Sequence, residues 1–141
     1  MPSSPADALC QFVPPFMRFL RDGLVDLNLS PARFQILQAL QQGGALSMVE
    51  LAGRLSVTKR NITTLIDGME KDGLAARAQN PEDRRSTLVR LTPAGEALWI
   101  KAAEVQREHL KGLLANLNAV QQQEMAKALT DLTEAMTALK S

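Results

Sequence analysis

The segment from Ser47 to Leu74 leaves the chain little freedom. Ser47 and Glu50 stand at capping-box spacing ahead of a short apolar run of Met48, Leu51, Ala52 and Leu55. Ser56 and Val57 interrupt that run, and Thr58 can cap a second helix over residues 59–72. That helix buries Ile62, Leu65, Ile66 and Met69 and stops at Gly73, where Leu74 suits the hydrophobic contact of a left-handed helix end. Two short helices separated by so brief a break predict a helix-turn-helix. Ala52 supplies the small residue where the helices cross, and Ser56 stands where such turns often hold glycine. The outward face of the second helix shows Lys59, Arg60, Asn61, Thr63, Thr64 and Asp67. Short polar and basic groups of this kind suit phosphates and base edges.

Past Leu74 the period changes. Residues 74–78 and 87–91 are strand-like, and 79–86 between them is polar and rich in turn formers, which predicts a β-hairpin. Its tip carries Asp83, Arg84 and Arg85. Arginines there can enter a narrow minor groove. Asp83 is expected to pair with one of them or to bond backbone N–H groups of the turn. Arg77 and Arg90 can meet phosphate or pair with acids, and both readings stay open. Residues 54–90 hold eight basic and five acidic side chains, against a formal net charge of +1 for the whole chain. The inference therefore rests on where the cations sit, not on how many there are.

The flanks read as helices. Leu9, Phe12, Val13, Phe16, Leu20, Leu24 and Leu27 form a stripe at helical spacing, with Pro14 and Pro15 in its middle. A helix regular after Pro15 and kinked or irregular before it is expected. Ser30-Pro31 opens a helix that Gly43-Gly44 ends. Thr92-Pro93 opens a long one to about Leu117. Asn118 and Gln121 cap the last, which carries Met125, Leu129, Leu132, Met136 and Leu139. The expected fold is mainly α with a small β-wing, in the order α-α-α-α-β-β-α-α. The expected domains are an N-terminal dimerisation helix over 1–29, a winged helix-turn-helix over 30–92 and C-terminal dimerisation helices over 93–141.

Composition narrows the function. The 141 residues include one histidine, His109, one cysteine, Cys10, and no tyrosine. No Gly-rich phosphate loop is present. The roles of a catalytic site cannot be filled, so no enzyme, no metal and no cofactor are expected. His109 falls among apolar helix positions and reads as a core or interface residue. One cysteine allows no internal disulfide, no apolar run approaches about 18 residues, and Met1-Pro2-Ser3-Ser4-Pro5 lacks a signal-peptide pattern. A cytoplasmic protein without a membrane partner is expected.

The run from Leu51 to Leu74 (Leu-Ala-Gly-Arg-Leu-Ser-Val-Thr-Lys-Arg-Asn-Ile and onward) resembles the recognition segment of the MarR (multiple antibiotic resistance regulator) family. So does Asn80-Pro-Glu-Asp-Arg-Arg-Ser-Thr-Leu-Val-Arg-Leu-Thr-Pro-Ala-Gly95. The wing pattern Asp-x-Arg falls on Asp83 and Arg85, and Leu-Thr-x-x-Gly on Leu91, Thr92 and Gly95. The resemblance implies a winged helix-turn-helix transcriptional regulator, a repressor, acting as a homodimer on palindromic double-stranded DNA and released by a small aromatic or anionic effector. The DNA-binding set expected is Ser47, Thr58, Lys59, Arg60, Asn61, Thr63, Thr64, Arg77, Arg84 and Arg85, with Asp83 ordering the wing. Phe12, Phe16, Arg18 and Phe34 are the candidate effector pocket. Two rival readings keep the fold. One is a peroxide sensor using Cys10, although this chain lacks the tyrosines that activate the thiol in such sensors. The other is a winged-helix protein-interaction module that binds no DNA.

Overall fold

A computed structural model describes residues 3–139. It contains α1 (Pro5–Gly23), a 3-10 turn (Val25–Leu27), α2 (Pro31–Gly43), β1 (Ala45–Ser47), α3 (Met48–Leu55), α4 (Lys59–Lys71), β2 (Ala75–Asn80), β3 (Asp83–Leu91), α5 (Pro93–Leu114) and α6 (Ala119–Leu139). The chain divides into two compact units, one ending at Gln106 and the other starting at Arg107. That boundary falls inside α5. Leu24 and Leu29 are buried in the same core as the helix-turn-helix.

Local chemistry sets most helix starts. The hydroxyls of Ser4, Ser30 and Thr58 accept the N–H groups of Asp7, Arg33 and Asn61 at 3.1, 3.2 and 3.1 Å. The two expected capping boxes form, Ser47 with Glu50 and Asn118 with Gln121. At the end of α4, Leu74 N–H donates to Met69 O and Gly73 N–H to Glu70 O, the paired bonds of a Schellman motif. Gly73 takes a φ of +75° there.

Three expectations need correction. The helix through Pro14 and Pro15 is continuous from Pro5, with no irregular N-terminal part. Both prolines and the residues one turn earlier, Cys10 and Gln11, are exposed, so water can reach the carbonyls that lose a donor. The second correction is β1, a three-residue strand absent from the expected order. It pairs antiparallel with β3, Leu46 facing Val89, and gives a three-stranded sheet in the order β1-β3-β2.

The third concerns the hairpin. Its strands run on through the segment expected to be loop, leaving only Pro81 and Glu82 between them. The register then jumps: Gln79 faces Thr87 but Asn80 faces Asp83. Arg84, Arg85 and Ser86 lie outside the paired ladder. A bulge of this kind bends a strand and re-aims its side chains.

The core of the first unit gathers Ile36, Leu37 and Leu40 of α2, Leu51 of α3, Ile62, Ile66 and Met69 of α4, and Val89 of β3. Burying each such side chain contributes roughly 1.5–3 kcal/mol. The three from α4 therefore outweigh any surface ion pair in fixing that helix. Phe34 of α2 packs on Trp99 of α5, ring centroids 5.4 Å apart. In the second unit, Gln122 Nε2 donates to Leu114 O and Leu117 O, closing the turn into α6.

Candidate nucleic-acid interface

Because Ile62, Ile66 and Met69 face inward, the helical period turns Lys59, Arg60, Asn61, Thr63 and Thr64 out of α4, and all five are exposed. Thr58 is exposed too, its hydroxyl acting as the helix cap. On the hairpin, Arg84 and Arg85 are exposed on the bulge. Asp83 Oδ1 accepts the backbone N–H of Arg85 at 3.0 Å, and Asn80 Oδ1 accepts that of Glu82 at 3.0 Å. Of the two roles expected for Asp83, the backbone bond is the one formed.

The two elements meet across an open cleft. Lys59 and Thr63 line it from α4, Val49 from α3, and Asp83 and Arg85 from the hairpin. No ion pair engages the side chains of Lys59, Arg60, Arg84 or Arg85 among the described residues. The acids of the region are engaged instead. Arg77 Nη2 lies 2.6 Å from Asp67 Oδ1, and its Nη1 lies 2.8 Å from Glu70 Oε1. Asp72 Oδ2 takes Arg33 Nη1 at 2.7 Å. The unpaired cations thus face solvent while most nearby carboxylates are neutralised, which concentrates positive potential on one side.

Two of the residues expected at the DNA surface, Arg77 and Ser47, also have partners within the fold. The guanidinium of Arg77 is committed to Asp67 and Glu70, and those carboxylates hold its proton more firmly than usual, the Asp67 hydrogen bond first. Ser47 is buried, and its hydroxyl accepts Glu50 N–H at 3.0 Å. Both nevertheless line the same cleft as Lys59 and Arg85, and they brace it through these bonds. Sequence spacing could not reveal the Arg77 pairing, because β2 and α4 meet only in the folded chain.

The four residues of the candidate effector pocket lie on α1 and α2. Phe12 stacks on Phe16 along α1 with centroids 4.8 Å apart, while Phe34 packs on Trp99 against the core. Arg18 is exposed on α1. Cys10 is a free, exposed thiol on the same helix. No helix among the described residues is long and apolar enough to cross a membrane.

Comparison with known proteins agrees with this geometry. Residues 29–87 match the model of the MarR family. YetL, an HTH-type transcriptional repressor of Bacillus subtilis, is 32% identical over 115 residues, covering 80% of this chain and 69% of the relative. An HTH-type transcriptional repressor of Mycobacterium bovis is 36% identical over 109 residues, 77% of this chain and 78% of its own. The crystal structure of apo wild-type MarR from E. coli is similar with a TM-score of 0.82 at 27% identity, covering 92% of this chain and 96% of that one. A mutant of that protein complexed with operator DNA has a TM-score of 0.68 at 28% identity, covering 82% and 83% of the two chains.

Proposed function

The chain belongs to the MarR family of winged-helix regulators, and on that premise we propose that it is a sequence-specific DNA-binding transcriptional repressor. It acts as a homodimer on a palindromic operator. Helix α4 enters the major groove of each half-site, and the hairpin bulge reaches the adjacent minor groove. The observation that carries this reading is the shared cleft of Lys59, Thr63 and Arg85, whose cations have no ion-pair partner among the described residues.

Dimerisation is supported by apolar faces with no cover in a single copy. Helix α1 exposes Leu9, Phe12, Val13 and Met17, each 46–49% accessible. Helix α6 separately exposes Leu129, Leu132, Met136 and Leu139. A second copy related by a two-fold axis would cover such faces and match a palindrome. Release by a small aromatic or anionic effector completes the proposal and rests on the family resemblance alone.

The test is selection of bound duplexes from a random pool, followed by binding against salt concentration. A palindrome with half-sites about one helical turn apart is expected, with a steep salt slope. Arg85→Ala should weaken binding by about 1–3 kcal/mol if the side chain enters the groove. Unchanged affinity would remove the hairpin from the interface. No enrichment even at low salt would replace DNA by a protein partner.

A further inference from the structure

We propose that α4 reads thymine through methyl groups: those of Thr63 and Thr64, with Val49 lining the same cleft as Thr63, meet the 5-methyl groups of thymines in each half-site. This deepens the reading of α4 as the major-groove element and rests on it. Thr63 Oγ1 donates to Lys59 O at 2.9 Å, and Thr64 Oγ1 donates to Arg60 O at 3.1 Å. Each hydroxyl proton is therefore committed to the helix backbone and cannot be donated to a base. With the oxygen turned back along the helix, the methyl is what each residue offers outward, and both residues are exposed.

The same back-bond occurs at Thr130 and Thr133 on α6, so the bond alone carries no recognition. Position does. Thr63 lines the cleft between α4 and the hairpin, and Val49 lines it too, 69% exposed. An exposed valine beside unpaired cations has one apolar feature of the major groove to meet, the thymine methyl. The neighbouring donors divide the remaining work, since Lys59 and Arg60 suit the guanine edge and Asn61 the adenine edge.

The experiment uses the full-length protein and the duplex recovered by selection. Each thymine of a half-site is replaced in turn by deoxyuracil, which removes only the methyl. Affinity for wild type should fall about fourfold at a contacted position, the size of one buried methyl. Thr63→Ser or Thr64→Ser should show the same fall on the normal duplex and no further fall on the matching deoxyuracil duplex. Thr63→Val, which keeps a methyl, should keep the sensitivity. Circular dichroism and urea midpoints establish that the variants fold. Wild-type affinity indifferent to every deoxyuracil, or losses that simply add between protein and base, would overturn the methyl reading and leave DNA binding standing. Failure to recover any duplex would overturn both.

Discussion

Arg77 on β2 holds Asp67 on α4 through a 2.6 Å ion pair and Glu70, one turn further along, through a second of 2.8 Å. The backbone N–H of Arg77 adds a bond to Glu70 Oε2 at 3.3 Å. One residue thereby joins the base of the hairpin to the helix proposed to read DNA. It also neutralises two carboxylates that would otherwise repel phosphate.

Replacing Arg77 by alanine should therefore act twice. The acids are partly exposed and solvent screens them, so the stability loss should be about 1 kcal/mol in urea unfolding and should shrink as salt rises. DNA affinity should fall by more than that, because two freed negative charges then face the duplex. Adding Asp67→Asn and Glu70→Gln to Arg77→Ala should recover the electrostatic part. Binding as weak in the triple variant as in the single one would mean that only the geometry of the hairpin matters.

Ser56 closes α3 in the left-handed conformation, with φ 54° and ψ 44°. A side chain there carries a steric cost that glycine avoids. Ser56→Gly should raise stability by about 0.5 kcal/mol, the relief of strain being partly offset by the greater freedom of glycine when unfolded. Equilibrium denaturation of the two proteins decides it, and a variant no more stable than wild type would mean that the strain relieved does not exceed the entropic cost of glycine.

The backbone of Leu74 leaves no room for a side chain at Gly95. A Cβ there would stand 2.0 Å from Leu74 O, the carbonyl that accepts Thr92 N–H at 3.1 Å. Alanine cannot be fitted without parting the start of α5 from the strand that begins the hairpin. Gly95→Ala should cost about 1–3 kcal/mol, and thermal unfolding should start at a lower temperature. Gly53→Ala is the control, since nothing lies within 4 Å of its Cβ position. Equal behaviour of the two variants would sink the close-approach argument.

What could be read from the sequence followed from how local each interaction is. The caps at Ser30, Ser47, Thr58 and Asn118 depend on partners three residues away, and all four form. The inward face of α4 followed from its period. Strand β1 was hidden, because Ala45, Leu46 and Ser47 are extended by pairing with residues of β3 far along the chain. The hairpin was expected to be short for a related reason. Gln79 and Asn80 are poor strand formers by composition, and backbone pairing overrides that preference. Sequence alone leaves Arg77 between phosphate and acid because its partners lie seven and ten residues back, on another element. The exposed face of α4 follows from the helix period alone.

Helix α6 offers the sharpest check on assembly. Leu129, Leu132 and Met136 recur at steps of three and four residues and are 51%, 44% and 57% exposed in one copy. Such a stripe is unfavourable in water and is covered in a stable species. Leu132→Glu with Met136→Glu places two charges in it. If a second copy provides the cover, the wild type should sediment as a dimer and its melting temperature should rise with protein concentration. The double variant should sediment as a monomer, and its melting temperature should not depend on concentration. Its affinity for a palindrome should fall towards that for one half-site, since the second α4 is no longer held in register. A variant that still sediments as a dimer would place the interface elsewhere, with the exposed stripe of α1 as the next segment to charge.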